Sequence, residues 1–337
     1  MIHKELLTVE VIRGDLVESR HRGIAAVIDS HGEVVHAWGD IDRHIYPRSA
    51  IKPLQALPLI ETGAADQFDL GESEIALSCS SHNGEFHHTK LVSGWLERIG
   101  LGIDDLECGR HLPYDEASAH DLIRAGEPAT NLNSNCSGKH TGFLTTAVHA
   151  GESIRGYIGP DHPVQQRLET VLSEMGGVDL SGTARGADGC GIPVMGMPLS
   201  AMALSLARMA NPEELPPSRA EAAKRITAAM MAHPYNVAGR HRFDTIAMQA
   251  APGRFAVKTG AEAVHAGIIP ELGLGIALKI DDGTKRAADV AMAAILRFLN
   301  LLDDAAQATM ADLLEAPIYN IPGKRVGSVR MAEGWAD

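Results

Sequence analysis

"RFAVKTGAEAVHAGIIPELGLGIALKID", residues 254–281, decides the fold. Short runs of Val, Ile, Ala and Leu are broken at Gly260, Pro270 and Gly273, a texture that predicts successive β-strands. The same texture stands at the other end of the chain, in "LLTVEVIRG" (6–14) and "GIAAVIDSHGEVVHAWGD" (23–40), the latter folding back at Ser30, His31 and Gly32. A last short strand is expected in "GKRVGSVRM" (323–331). Between these ends, "EFHHTKLVSGWLERIG" (85–100), "HPVQQRLETVLSEMG" (162–176), "LSAMALSLARMA" (199–210) and "SRAEAAKRITAAMMAH" (218–233) carry apolar residues at helical spacing. "RAADVAMAAILRFLNLL" (286–302) is a further amphipathic helix. The expectation is therefore α+β: one antiparallel sheet built from N- and C-terminal strands, with a helical lobe from the middle of the chain. A single two-lobed domain follows, with residues 1–48 and about 254–337 in the sheet lobe and about 49–250 in the mainly helical lobe.

The 337 residues are 45% apolar, and 43 acidic side chains outnumber 30 basic ones, for a formal charge of −13. That balance argues against a nucleic-acid or anionic-membrane surface, which needs clustered Lys and Arg. No stretch approaches the ~18 apolar residues of a membrane span. The charged start "MIHKELLTVEVIRGD" has no signal-peptide core. Cysteines 79, 108, 136 and 190 are too sparse for a disulfide scaffold, so a cytoplasmic location is expected.

Three short motifs carry candidate chemistry. In "PRSAIKP" (47–53), Ser49 stands three positions before Lys52, so on a helical turn the two share a face. A lysine removes a serine proton only when it is itself neutral, which near pH 7 costs about 4 kcal/mol; desolvation and a second cation both help. "CSSHNGE" (79–85) contains Ser81-His82-Asn83, and "VKTGAEAV" (257–264) contains Lys258-Thr259-Gly260 at the start of a predicted strand. Ser-x-x-Lys, Ser-x-Asn and Lys-Thr-Gly, in that order, resemble the signature set of penicillin-binding proteins and serine β-lactamases.

"NLNSNCSGKHTGFL" (131–144) and "ARGADGCGIPVMGMP" (184–198) read as polar, Gly-rich loops between helices. They bring Cys136, Lys139, His140, Asp188 and Cys190 into play, and two thiolates with one or two further donors would suit a tetrahedral zinc site. Cys79 and Cys108 read as buried free thiols. His82, His87 and His88 match no helical metal motif and read as a solvated helix start. The Met-rich run 195–209 reads as core.

Together, "PRSAIKPLQ", "CSSHNGE", "NCSGKHTGFL", "DGCGIP" and "KTGAEAVHAG" resemble the rhizobial-type, or class 3, L-asparaginases over nearly the whole chain. The resemblance implies a penicillin-recognising, glutaminase-like fold, a homodimer, and hydrolysis of L-asparagine to aspartate and ammonia. It places two Ser–Lys tandems on Ser49 with Lys52 and on Ser81 with Lys258. It places zinc ligands on Cys136, Lys139 and Cys190, with His140 and Asp188 close by. Arg48, Asn83, His140 and Asp188 are the candidates for holding substrate, Arg48 through a bidentate fork to a carboxylate. Where the family tends to have a cysteine, 14 residues before the second tandem's lysine, this chain has Asp244. Three rival readings stand beside it: a serine-dependent glutaminase, a β-lactamase-like esterase or peptidase, and a non-catalytic amino-acid or zinc binder.

Overall fold

The computed structural model describes residues 2, 3 and 5–336. The chain forms two compact units. One comprises residues 1–50, 197–211 and 246–337, the other residues 51–196 and 212–245.

The first unit is built on a nine-stranded sheet. Its strands are β1 (Ile2–His3), β2 (Leu7–Arg13), β3 (Leu16–Asp29), β4 (Val34–Trp38), β5 (Ala256–Thr259), β6 (Val264–Ile269), β7 (Leu274–Ile280), β8 (Ala316–Tyr319) and β9 (Arg325–Met331). Their order is β8-β9-β2-β3-β7-β6-β5, with β4 also on β3 and β1 on β4. Every pairing is antiparallel except β1 with β4. The expected α+β sheet of N- and C-terminal strands is thus the observed one. β3 and β7 meet at the centre in the register Ala26 opposite Ala277. From Ile24 to Ile28 and from Leu274 to Leu278 both are buried at every residue. Strands covered on two faces read as unbroken apolar runs, which is the texture of both segments. β2 alternates instead, burying Leu7, Val9 and Val11, because one face only meets the core. The turn at Ser30–Gly32 forms because the Asp29 carboxylate accepts the His31 and Glu33 N–H groups, both at 2.9 Å, and Gly32 takes φ +91°.

Helix Lys285–Phe298 packs on β9, β7 and β2. Helix Leu199–Ala210, expected within the helical lobe, belongs instead to the sheet unit and lies on β7 and β3. Small residues at Ala203 and Ala207 let its backbone reach Gly275 on β7. Met202 and Met209 of the Met-rich run are buried there as core.

The second unit is helical. Its centre is helix Ser137–Ala150, whose residues 137–147 are all buried among helices Glu72–Ser78, Phe86–Arg98 and Pro163–Gly176 and the short helices near residues 57–67. Here the sequence reading is corrected: "NCSGKHTGFL" is the start of a helix, not a loop. A helix buried on all sides shows no polar stripe, and Gly138 and Gly142 make it look like loop.

Candidate active site

Helix Glu72–Ser78 ends at Cys79, and residues 80–83 continue as an extended, buried segment. Backbone bonds hold it from two sides: Ser81 N–H donates to Val237 O at 3.0 Å, Asn83 N–H to Ala238 O at 2.9 Å, and His82 N–H to Asn135 O at 3.2 Å. The last of these brings the segment against Cys136, the residue that precedes helix Ser137–Ala150.

Lys52 opens the short helix Lys52–Gln55, preceded by a 3₁₀ turn over Arg48–Ile51. Its ammonium is buried, and it uses three donors on three acceptors: Ser80 O at 2.5 Å, Ser81 Oγ at 3.0 Å and Cys136 Sγ at 3.2 Å. The sequence pairs Lys52 with Ser49 and Ser81 with Lys258; within the helical unit the hydrogen bond runs from Lys52 to Ser81. Ser49 is half-buried in the 3₁₀ turn, and Arg48 before it takes a left-handed φ of +51°. Lys258, in the sheet unit, is buried on β5 and donates to the Thr259 carbonyl at 2.5 Å.

The second thiol arrives on a hairpin, Arg185–Ala187 with Pro193–Met195, whose turn is closed by Asp188 N–H on Ile192 O at 2.9 Å. Cys190 is buried at that turn, 3.0 Å from Lys139 Nζ, and in hydrogen-bonding contact with Cys136. Asp188 is half-buried, and its Oδ1 accepts from the Gly189 N–H. So the structure brings Cys136, Lys139 and Cys190 together. The Cys190 contact, ahead of the opposing effect of burial, lowers the Cys136 thiol well below its usual range, helped by Lys52 and Lys139. The same contact and burial push Cys190 up. Burial works against the Lys139 charge, but Cys190 and Cys136, with Asp188, outweigh it and raise its pKa.

Two adjacent unbridged thiols with a lysine against one of them are a donor set that suits zinc, provided the lysine gives up its proton. Among the described residues no group of three or more His, Cys, Asp and Glu could hold a metal, so any site here depends on Lys139 as a donor. His140, the next residue, is buried. Tyr157 Oη accepts from the Glu107 N–H and lies 2.8 Å from His140 Nδ1, while His140 Nε2 has no partner. Burial first, then Lys139 and Lys52, keep this ring neutral. Cys79 and Cys108 are buried and in no disulfide; burial raises Cys108 to about 11.

The histidine reading needs correction. His82 and His88 are fully buried, and only His87 of the three is exposed. Their rings stack at 4.9 Å, and His88 stacks on Tyr235 at 5.5 Å. Gly84 N–H donates to His82 Nδ1, so Nε2 carries the proton and donates to Ser137 Oγ at 2.8 Å. Tyr235 lies 147 positions from His88, beyond the reach of any local pattern. Burial is the first cause lowering both pKa values, and for His82 the charges of His88 and Lys52 add to it. The unfolded chain therefore binds protons below about pH 6.5 that the folded chain refuses, and stability falls as pH drops from there. Urea unfolding at pH 7.5 and 5.5 should show a loss of up to about 1.4 kcal/mol per pH unit for each ring. His88→Gln should shrink that loss; an unchanged pH slope would count against a buried neutral His88.

Glu85 and Arg242 are two residues the sequence reading missed. The buried Glu85 carboxylate accepts from Tyr235 Oη, from Arg240 N–H at 2.9 Å and from Asn83 Nδ2 at 3.3 Å. Burial would raise its pKa, but these donors outweigh it and hold it low. Gly239, at φ +107°, is required in this loop, because a Cβ there would stand 2.4 Å from Glu85 Oε1. Asn83 is wholly engaged: its amide nitrogen also donates to Arg240 O at 2.9 Å, and its oxygen accepts from Arg242 Nη1 at 3.0 Å.

A serine hydroxyl on a buried lysine, beside a pair of thiols and a second buried lysine, is an assembly suited to acyl transfer. A family model described as L-asparaginase II matches residues 9–331, and the chain belongs to that family. It is thereby an amidohydrolase acting on a small-molecule substrate. No curated protein sequence matches the chain. Among solved structures, one titled "Crystal Structure Analysis of Mglu" is similar at 14% identity and a TM-score of 0.48, over 83% of this chain and 67% of that one. A putative beta-lactamase from Bacteroides dorei is similar at 12% identity and a TM-score of 0.45, over 82% and 93%. A beta-lactamase from Mycobacterium bovis stands at 14% and 0.37, over 86% and 94%. Likenesses this distant carry no argument about mechanism. Among the described residues, no helix is long and apolar enough to cross a membrane.

Proposed function

We propose that the protein hydrolyses L-asparagine to L-aspartate and ammonia through a serine acyl-enzyme. The observation that carries this reading is the buried Lys52 ammonium on the Ser81 hydroxyl at 3.0 Å. Ser49 and Lys258 enter from the resemblance of their motifs to the family. Lys52, in its neutral form, takes the proton of Ser49. Ser49 Oγ then attacks the side-chain carbonyl carbon, and the C–N bond breaks once the leaving nitrogen receives a proton. Ser81, hydrogen-bonded to Lys52, hands that proton on, and Lys258 is the lysine that the resemblance pairs with Ser81. Water releases aspartate by the reverse path.

Zinc fits the same reading, with Cys136, Cys190 and Lys139 holding it and His140 and Asp188 beside them. Bound there, it would supply a fixed positive centre that orders the substrate-binding loops. Lys139 must then surrender its proton, which makes loading depend on pH. The resemblance further implies a homodimer, and the sparse cysteines favour a cytoplasmic location.

Ammonia release from L-asparagine and L-glutamine, measured with and without a chelator, tests the activity. The expected result is turnover of asparagine well above glutamine, and a loss on chelation restored by zinc. No release from either amide would end the reading. Intact mass of a trapped adduct should place the acyl group on Ser49, and an adduct on Ser81 would reverse the two serines. Metal analysis should find about one zinc per chain, and none after Cys190→Ser.

A further inference from the structure

Arg242 is bound on one side only. Its Nη1 donates to Ser81 O at 3.2 Å and to Asn83 Oδ1 at 3.0 Å, which uses both hydrogens of that nitrogen. Its Nε is buried and has no partner, and no carboxylate among the described residues pairs with the guanidinium. The neighbouring Arg240, by contrast, is paired with Glu85. The idle edge of Arg242, Nε with Nη2, is the side-on fork that fits a carboxylate with two parallel bonds. Asn83 fixes the fork's orientation, since its own amide is tied to Glu85 and Arg240. A cleft of about 520 Å³ opens beside it, lined by Asn83, Arg240 and Arg242 on one hand and by Tyr114 and the acidic Asp115 and Glu116 on the other.

The geometry points to Arg242 as the residue that receives the α-carboxylate of the amino-acid amide, with Asn83 as its positioning residue. This rests on the amidase reading above and adds to it the group that selects the substrate. A buried, charged donor without an acceptor is costly in the empty protein, and an arriving carboxylate removes that cost. The guanidinium grips the main-chain carbonyl of Ser81, whose hydroxyl sits on Lys52. In asparagine the carboxylate and the side-chain amide are three C–C bonds apart, about 4 Å when extended. Glutamine, one bond longer, would bring its amide past the same point. The sequence reading assigned the carboxylate to Arg48, but Arg48 has partners of its own, and the open fork belongs to Arg242.

The test compares kcat/KM for ammonia release from L-asparagine and from β-alaninamide, which is asparagine with the carboxylate replaced by hydrogen. Wild type should prefer asparagine by about 100-fold, the scale of a paired charge-assisted fork. Arg242→Gln should lose most of that preference by falling on asparagine alone, while β-alaninamide turnover stays within about threefold. Arg242→Lys, which keeps the charge but not the fork, should lie between, and it reads the same ratio if the glutamine variant folds poorly. Equal losses on both amides would make Arg242 a structural brace and overturn the proposal, as would a wild type without preference or a variant that keeps it. A wild type that releases ammonia from neither amide sinks the amidase reading and this inference with it. An active wild type whose ratio survives the substitution sinks the inference alone.

Discussion

Lys52→Met should lower ammonia release from asparagine by about 10⁴-fold while leaving the protein folded. General-base assistance by a positioned side chain is worth about 10²–10⁴ in rate, and losing the activator of a serine sits at the upper end. Folding should survive because methionine fills nearly the same volume in a site where Lys52 is 1% exposed. Against that, the Ser80 carbonyl, the Ser81 hydroxyl and the Cys136 sulfur lose a donor, at a cost of about 1–3 kcal/mol each. Steady-state rates and a melting curve on the same sample separate the two effects. A variant within tenfold of wild type would remove Lys52 from the chemistry.

Gly275→Ala should destabilise the protein by about 3 kcal/mol or more, at the severe end for one added methyl group. A Cβ on residue 275 would stand 2.1 Å from the Ala203 carbonyl oxygen and 2.3 Å from the Ala207 nitrogen. Both are backbone atoms of helix Leu199–Ala210 and cannot rotate aside, so the helix must lift from β7. Ala203, Leu206 and Ala207 are all fully buried, and lifting the helix opens their packing together. Gly94→Ala is the control. It lies in helix Phe86–Arg98, with nothing within 4 Å of a new Cβ, and should gain up to about 1 kcal/mol from helix propensity. Urea midpoints at unchanged m-value report both. A cost below about 1 kcal/mol at residue 275 would mean that the helix does not rest on the strand as described.

The parts of this protein that local chemistry governs were readable in advance. β2 alternates because one face meets the core. β3 and β7 run apolar because both faces do. The turn at Asp29–Gly32 needs an acceptor side chain and a glycine, and has both. Of the residues that the Ser–Lys and Cys motifs named, Lys52, Ser81, Cys136, Lys139 and Cys190 fall in the helical unit, while Ser49 and Lys258 belong to the sheet unit. Helix Ser137–Ala150 was misread because complete burial erases the periodicity that betrays a helix. Helix Leu199–Ala210 was recognised as a helix but assigned to the wrong unit, since its partner is a glycine 72 positions from Ala203.

By itself, then, the sequence determined an antiparallel sheet drawn from both termini and a helical middle, and it named candidate side chains for the acyl transfer proposed above. Tertiary structure alone decided who meets whom: Lys52 with Ser81 across 29 positions, Lys139 with Cys190 across 51, and Arg242 with Asn83 across 159. Propensity and side-chain alternation act over a few residues, and they say nothing about partners brought together only when helices and loops pack. An unpaired N–H on Arg242 can be recognised only after every neighbour that might have satisfied it has been put in place.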